Sequence, residues 1–322
     1  MNSLDKVISA CLQDACLDQQ EHRCRPTLKH NFEHIICDID SIKSLPGFHT
    51  ASDMQTSLKH TSGMVMVIGS ICVERSEGLR DRYLVPVQKA SEYYNLGATL
   101  ELDFAERFFP PLKKVIQYLA DSLALPKAAL GKAILYFSPG GGGLPAHFDA
   151  YYNFVFQMVG TKTWYLLDNQ QATRPTVHYE LHEYPHMPAQ LKSYWQGEAP
   201  KNYLAVSQNE VLAPGSVLYL PRGVWHQTEA GELSVSLNIT YSIPTVLEVV
   251  LAHIKQDLVR HEVMRENVNT TLPKEAQLYL HQLLTRLDGC IGAKWNHYPT
   301  EEINLYQTAN RAFHSITEFI DV

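Results

Sequence analysis

The sequence lacks the long apolar segments of membrane proteins, and it lacks the cysteine motifs of secreted and zinc-binding proteins. No apolar run in its 322 residues approaches the roughly 20 that a membrane-spanning helix needs. The six cysteines contain no Cys-x-x-Cys pair, which indicates reduced thiols rather than a disulfide framework. The N-terminus also lacks the charged and apolar regions of a secretion signal. We therefore expect a cytoplasmic protein with no membrane segment.

Positive charge is also scarce. The chain has 27 lysines and arginines against 34 aspartates and glutamates, a formal net charge of −7, and no block of five basic residues occurs. Proteins that bind nucleic acid mainly through its phosphates need clustered positive charge. The sequence therefore contains no clear pattern of a nucleic-acid-binding protein.

The feature that is present is a series of short strand candidates separated by glycine- and proline-containing turns. Many short strands with such turns predict a sandwich or barrel. The candidates cover residues 64–72, 98–102, 132–137, 152–158, 161–167, 203–206, 217–220 and 233–241. One helix interrupts them, because Pro110 and Pro111 suit a first turn and apolar residues follow at helical spacing.

The chain divides into three regions by its periodicity. Residues 1–63 form a mixed N-terminal region expected to pack on the core, with a helix near 3–17. Residues 64–244 form the predicted barrel. Residues 245–322 contain three amphipathic helical stripes, which begin near Leu247, Ala276 and Leu305.

Two histidines and an aspartate have the spacing of metal ligands. In an extended chain, residues i and i+2 point to the same side, so His147 and Asp149 can reach one ion. His226 follows 79 residues later in the segment PRGVWH, where a distant strand of the same barrel can return. Two histidines and one carboxylate on one face form the facial triad of non-haem Fe(II) oxygenases. A lone His-x-Asp is usually incidental, so the motif depends on its surroundings.

A lysine follows the motif on a predicted hairpin. If Val159 and Gly160 form a two-residue turn, Asn153 and Lys162 face into the barrel and Phe154 faces the other way. A buried lysine needs an anionic partner, whereas a lysine at a hairpin end lies in solvent, and spacing alone leaves both readings open. Straight strand geometry would carry Lys162 too far from the ligands, so we expect a bend at Tyr151 and Tyr152.

Three segments carry a resemblance to a known family. They are residues 132–149 (KAILYFSPGGGGLPAHFD), 154–164 (FVFQMVGTKTW) and 212–226 (LAPGSVLYLPRGVWH). Together they resemble the JmjC/cupin-type Fe(II)/2-oxoglutarate-dependent oxygenases. Within that group the resemblance is to bacterial ribosomal-protein hydroxylases and to the asparaginyl hydroxylase of hypoxia-inducible factor, and it covers about residues 97–242.

The resemblance implies a fold and a set of site residues. The fold is mainly β with α: a double-stranded β-helix (jelly-roll/cupin) core with flanking helices and a C-terminal helical region. His147, Asp149 and His226 match the catalytic iron ligands, and Lys162 matches the residue that pairs with the distal carboxylate of 2-oxoglutarate. The resemblance also implies that three residues lie beside the co-substrate: Asn153, Asn238 and Tyr136. Leu144 departs from relatives that carry at this position a hydroxyl residue in contact with the co-substrate.

The resemblance also implies an activity. Fe(II), 2-oxoglutarate and O2 would hydroxylate an unactivated C–H bond, with 2-oxoglutarate converted to succinate. The expected substrate is an amino-acid side chain in a peptide or protein, and the alternatives are a free amino acid or natural-product intermediate, or a non-catalytic metal-binding cupin scaffold. The helical tail suggests a homodimer. His178, His182 and His186 recur every four residues, but Pro185 and Pro188 disfavour a helix there, so we do not expect a second metal site. All histidines other than His147 and His226 are assigned structural or surface roles.

Overall fold

The computed structural model describes residues 27–29, 64–69, 81–123, 125–267 and 274–281. The helix predicted near 3–17 and the third helical stripe lie outside this range. In the described part, the strands are β1 (Thr27–Lys29), β2 (Met64–Gly69), β3 (Asp81–Pro86), β4 (Thr99–Leu102), β5 (Leu130–Ser138), β6 (His147–Phe148), β7 (Tyr152–Val159), β8 (Lys162–Leu167), β9 (Tyr179–Glu180), β10 (Gln208–Leu212), β11 (Val217–Leu220), β12 (Trp225–Ala230) and β13 (Ser234–Ser242).

Helices are fewer and mostly short. They are α1 (Ala90–Asn95), α2 (Pro111–Ser122), α3 (Ala189–Lys192), α4 (Tyr203–Val206) and α5 (Val246–Leu258). The helix predicted to begin at the Pro110–Pro111 pair is present as α2, and the first C-terminal stripe is present as α5. Residues 274–281, within the second stripe, are also helical. The described helices include none long and apolar enough to cross a membrane.

The strands form two antiparallel sheets. The larger has the order β1-β11-β7-β13-β5-β4-β2-β3, and the smaller has the order β10-β8-β12-β6-β9. Side chains of both sheets share one apolar cluster, in which Val155 of β7 meets Trp164 and Leu166 of β8. The predicted jelly-roll core is therefore confirmed. Residues 27–29, within the region predicted to pack on the core, add a strand to the larger sheet beside β11.

The alternation predicted for β7 is observed. Phe154, Phe156 and Met158 lie in the main hydrophobic core, together with Leu237 and Ile239 of β13. The alternate residues of β7 point toward the smaller sheet. One strand therefore supplies apolar side chains to the core on one face and polar side chains to the interior between the sheets on the other.

The described residues divide into two units by their internal packing. One contains the strands up to residue 242, and the other contains residues 126–130 and those from 243 onward. The boundaries at 63/64 and 244/245 stay predictions.

The predicted hairpin at Val159–Gly160 is wrong. β7 pairs with β11 and β13, whereas β8 pairs with β10 and β12, so the chain leaves one sheet and enters the other at this turn. The side-chain amide of Gln157 donates to the carbonyl of Val159 at 2.8 Å and holds the crossing. Val159 is paired with Val235 of β13, so its backbone belongs to the larger sheet and not to a hairpin with β8.

The predicted strand at 203–206 is also wrong, because these residues form the single helical turn α4. Asn202 before it has a left-handed φ of 52°, which breaks an extended path. Tyr203 is buried and its hydroxyl donates to the carbonyl of Tyr165 at 2.7 Å, while Leu204 and Val206 are exposed. The strand of this region, β10, begins at Gln208.

The backbone at Gly160, where the chain crosses between the sheets, leads to a prediction about the free energy of unfolding. Its φ is +63°, and an added Cβ would lie 1.8 Å from the carbonyl oxygen of Leu233, a backbone atom that cannot rotate away. Gly197 has nearly the same φ, +69°, with nothing within 4 Å of an added Cβ. We expect Gly160→Ala to lower the free energy of unfolding in urea by about 1–3 kcal/mol more than Gly197→Ala does. Equal losses would contradict the crowding.

Candidate metal centre

Strand pairing brings the two histidines together. In the ladder between β6 and β12, His147 lies directly opposite His226. Residues directly opposite on antiparallel strands project from the same face, so both imidazoles point into the space between the sheets. Their ring centroids are 4.0 Å apart. Asp149, two residues after His147, projects to the same side.

These three side chains form a compact donor set. One ligand atom from each of His147, Asp149 and His226 lies within 4.8 Å of the other two, and all three residues are buried. Asp149 Oδ2 lies 3.5 Å from His226 Nε2. Three donors on one side of an ion leave its other positions open, which is the arrangement of a facial triad.

Backbone carbonyls fix the tautomer of both histidines. His147 Nδ1 lies 2.7 Å from the carbonyl of Pro145, and His226 Nδ1 lies 2.9 Å from the carbonyl of Val224. Because a carbonyl oxygen only accepts hydrogen bonds, each Nδ1 carries the proton. Each Nε2 therefore presents a lone pair toward the centre, as a metal ligand must.

The electrostatics favour the same state. Burial, followed by the neighbouring His226, lowers the pKa of His147 well below its ordinary value, and burial lowers the pKa of His226. Burial alone would raise the pKa of Asp149, but the hydrogen bond from His178 and the surrounding imidazoles hold this pKa well below its usual range. The site is thus two neutral imidazoles and one carboxylate, the protonation state that binds a divalent cation.

A pocket opens beside the donor set, and both sheets line it. Its walls come from β5, β7 and β13 on one side and from β8 and β12 on the other. The lining residues are Tyr136, Leu144, His147, Asp149, Asn153, Lys162, Trp164, His226, Thr228 and Asn238. All seven site residues predicted from the sequence are among them.

Lys162 is buried in this pocket. It is 1% exposed, and burial lowers its pKa to about 7. Its Nζ lies 5.4 Å from the centre of the Tyr136 ring, and within the described ranges Lys162 forms no ion pair with a carboxylate. A buried ammonium without a counter-ion is costly, so a negatively charged ligand in this pocket would stabilise the charged form of Lys162.

The two asparagines differ in their surroundings. Asn153 Nδ2 donates to Asp149 Oδ2 at 2.9 Å, so this residue contacts a carboxylate of the donor set. Asn238 Oδ1 is buried and has no hydrogen-bond partner in the described part of the chain, and the same is true of Trp164 Nε1. Buried polar atoms are almost always paired, and these two line the pocket that also holds Lys162. A polar ligand fits this environment.

Sequence reasoning missed a contact of the donor set. His178 was assigned only a structural or surface role, and its Nδ1 lies 3.0 Å from Asp149 Oδ1. Nothing in the local sequence indicates this contact. It depends on β9, a strand of two residues that pairs with β6 and puts Glu180 opposite His147.

Comparison with known proteins gives the family. A sequence model of the JmjC domain matches residues 113–249. The uncharacterized protein YxbC of Bacillus subtilis is 38% identical over 256 residues, which are 78% of this chain and 78% of YxbC. The chain belongs to the JmjC family. The predicted resemblance to JmjC/cupin-type oxygenases is therefore confirmed.

Other relatives are more distant. The protein of Drosophila willistoni named bifunctional lysine-specific demethylase and histidyl-hydroxylase NO66 is 25% identical over 182 residues, or 53% of this chain but 21% of NO66. A structure of the Escherichia coli ribosomal oxygenase YcfD in complex with cobalt and 2-oxoglutarate has a TM-score of 0.53 at 14% identity, covering 84% of this chain and 65% of YcfD. This likeness shows the fold.

The donor set of this JmjC protein leads to a prediction about its affinity for Co(II). His147→Ala removes one of three donors, so we expect the dissociation constant for Co(II) to rise by more than about 100-fold, beyond the usual effect of changing an outer-shell residue. His186→Ala changes an exposed histidine and controls for surface binding of the ion. Equilibrium dialysis measures both. Unchanged Co(II) affinity in His147→Ala would exclude this centre as the metal site.

Proposed function

We propose that this protein is an Fe(II)- and 2-oxoglutarate-dependent oxygenase that hydroxylates an unactivated C–H bond, in an amino-acid side chain of a peptide or protein. The observation that carries the proposal is that one pocket contains three convergent metal donors and a buried lysine, Lys162, which forms no ion pair with a carboxylate of the described residues. A cation-binding face and an anion-binding side chain in the same pocket suit a metal and a dicarboxylate that bind side by side.

In this proposal, each residue around the donor set has a defined role. His147, Asp149 and His226 hold Fe(II) through Nε2, a carboxylate oxygen and Nε2. Lys162 forms an ion pair with the distal carboxylate of 2-oxoglutarate. Once bound, the metal and 2-oxoglutarate supply the oxidative chemistry, in which O2 is consumed and 2-oxoglutarate yields succinate and CO2.

The remaining lining residues orient the co-substrate and exclude water. Tyr136 lies beside Lys162 and offers a phenol to the same carboxylate. The Asn238 amide can turn either its oxygen or its nitrogen toward a ligand. Trp164 stacks on His226 with ring centroids 5.6 Å apart, and with Leu144 it supplies an apolar wall. The metal edge of the pocket is thereby kept dry.

The relatives support a protein substrate. The name of NO66 describes a bifunctional lysine-specific demethylase and histidyl-hydroxylase, and YcfD is named a ribosomal oxygenase, in a structure that contains cobalt and 2-oxoglutarate. This chain spans about a fifth of the length of NO66, so the activity and the substrate class are our proposals for this protein.

The test is co-substrate binding followed by turnover. We expect Fe(II) and 2-oxoglutarate, added without oxygen, to give a visible charge-transfer band, and succinate to form in air. Lys162→Met removes the charge at similar volume, so we expect weaker 2-oxoglutarate binding with unchanged Co(II) affinity. Lys192→Met, on exposed α3, is the matched control.

Three results would contradict parts of this proposal. If a protein with verified metal content gives no charge-transfer band and forms no succinate, a metal-binding scaffold is supported instead of an enzyme. Hydroxylation of a free amino acid but of no peptide would reassign the substrate class. Wild-type 2-oxoglutarate affinity in Lys162→Met would refute the role of Lys162.

We infer further that the protein acts in the cytoplasm as a homodimer that forms through its C-terminal helices. The support is an apolar face on α5, where Val246, Leu247 and Leu251 are exposed. Burying such a face against a second copy is favourable. We expect light scattering of the full chain to give twice the 36.5 kDa monomer mass, and a monomer mass would contradict the dimer.

A further inference from the structure

A half-exposed histidine contacts the carboxylate of the donor set from outside the pocket. The His178 side chain is 36% exposed, whereas that of Asp149 is 8% exposed. Its Nδ1 lies 3.0 Å from Asp149 Oδ1. Because an ionised carboxylate only accepts hydrogen bonds, Nδ1 is the donor.

The other side of the His178 ring faces a second carboxylate. Glu180 Oε1 lies 3.6 Å from His178 Nε2, and Glu180 Oε2 lies 3.2 Å from His182 Nδ1. The ladder between β6 and β9 sets Glu180 opposite His147, so Glu180 belongs to the same row as the two histidine ligands. His178 is therefore held between Asp149 and a carboxylate whose position the sheet determines.

The two oxygens of Asp149 have different neighbours. Oδ2 lies 3.5 Å from His226 Nε2, a separation that two ligands of one ion can take, and it also accepts a hydrogen bond from Asn153. Oδ1 is directed to His178. The carboxylate is thus oriented with one oxygen toward the metal centre and one toward the outer histidine.

We propose that His178 is a positioning residue that holds Oδ1 of Asp149, so that this carboxylate binds the metal through Oδ2 alone. The inference rests on the proposed function, because the metal centre is part of that proposal. A carboxylate that binds through both oxygens takes an additional position on the ion. Holding Oδ1 away keeps that position for the co-substrates, and it fixes the Oδ2 lone pair toward the metal.

The experiment uses Co(II) as the probe and the full chain as the protein. His178→Ala removes the donor, while His178→Asn places an amide N–H close to the position of Nδ1. We expect the Co(II) dissociation constant of His178→Ala to rise by about 10–100-fold, the usual effect of losing an outer-shell partner. We also expect its visible d–d absorbance per ion to fall as the coordination number increases. His178→Asn keeps most of the affinity and the wild-type spectrum.

His186→Ala is the matched control, since it removes an exposed histidine from the same segment and is expected to change neither the affinity nor the spectrum. Wild-type affinity and spectrum in His178→Ala would overturn the inference. Equal losses in His178→Ala and His178→Asn would overturn it too, because the asparagine restores the donor. If His178→Ala does not fold, as judged by thermal unfolding without metal, a changed spectrum in His178→Asn would still overturn the inference.

Failure of the inference is distinguishable from failure of the proposed function. A wild-type protein that binds neither Co(II) nor 2-oxoglutarate would overturn the proposed function. A wild-type protein that binds both, alongside a His178→Ala variant that behaves identically, would overturn only the role of His178.

Discussion

The pairing of β6 with β12 is the constraint on which the site depends. It sets His147 opposite His226, and Asp149 follows from the period of an extended chain. A shift of one residue in this register would turn His226 to the other face and separate the donors. The strand β6 contains only two residues, so its position depends on neighbours on both sides: β12 within the sheet and β9 at its edge.

The interior between the sheets holds an unusual number of polar groups for a buried space. Asp149, Lys162 and the two histidine ligands are all nearly inaccessible, and each carries a desolvation cost in the absence of a ligand. The apolar core on the other face of β7, built from Phe154, Phe156 and Met158, supplies compensating burial. The fold thus separates stability from chemistry by placing them on opposite faces of the same strands.

The sequence allowed the central part of this arrangement to be predicted. Most strands and helix α2 follow from local patterns of apolar residues and turns, and His147 and Asp149 follow from their short spacing along the chain. Spacing left the burial of Lys162 open, and its predicted role came from the resemblance to JmjC/cupin-type oxygenases. The turn at Gly160 could not be recognised as a crossing between sheets. A turn that joins two strands of one sheet and a turn that crosses to another sheet can have the same local sequence. The deciding factor is pairing with β10, β11, β12 and β13, which lie 48 to 83 residues away from Val159 and Gly160 in the chain.

The same limit explains α4 and His178. The apolar residues of 203–206 suit a strand as well as a helical turn, and the hydrogen bond of Tyr203 to Tyr165 decides between them only in the folded chain. His178 is one of fifteen histidines, and only the pairing of two-residue strands brings it to Asp149. These two features depend on distant pairing and have no local pattern. His226 also depends on distant pairing, but it was predicted because its residue type completes the ligand set of His147 and Asp149.

The backbone carbonyls of Pro145 and Val224 have a consequence for how the protein acquires its metal. They orient both imidazoles through groups that belong to the polypeptide itself, so the ligand geometry exists before an ion arrives. A preorganised site made of two nitrogens and a carboxylate follows the general order of divalent-metal affinities, in which iron ranks below cobalt, nickel, copper and zinc. Correct metallation of such a site is therefore governed by which ions the cell makes available, and competing ions such as zinc would occupy it as inhibitors.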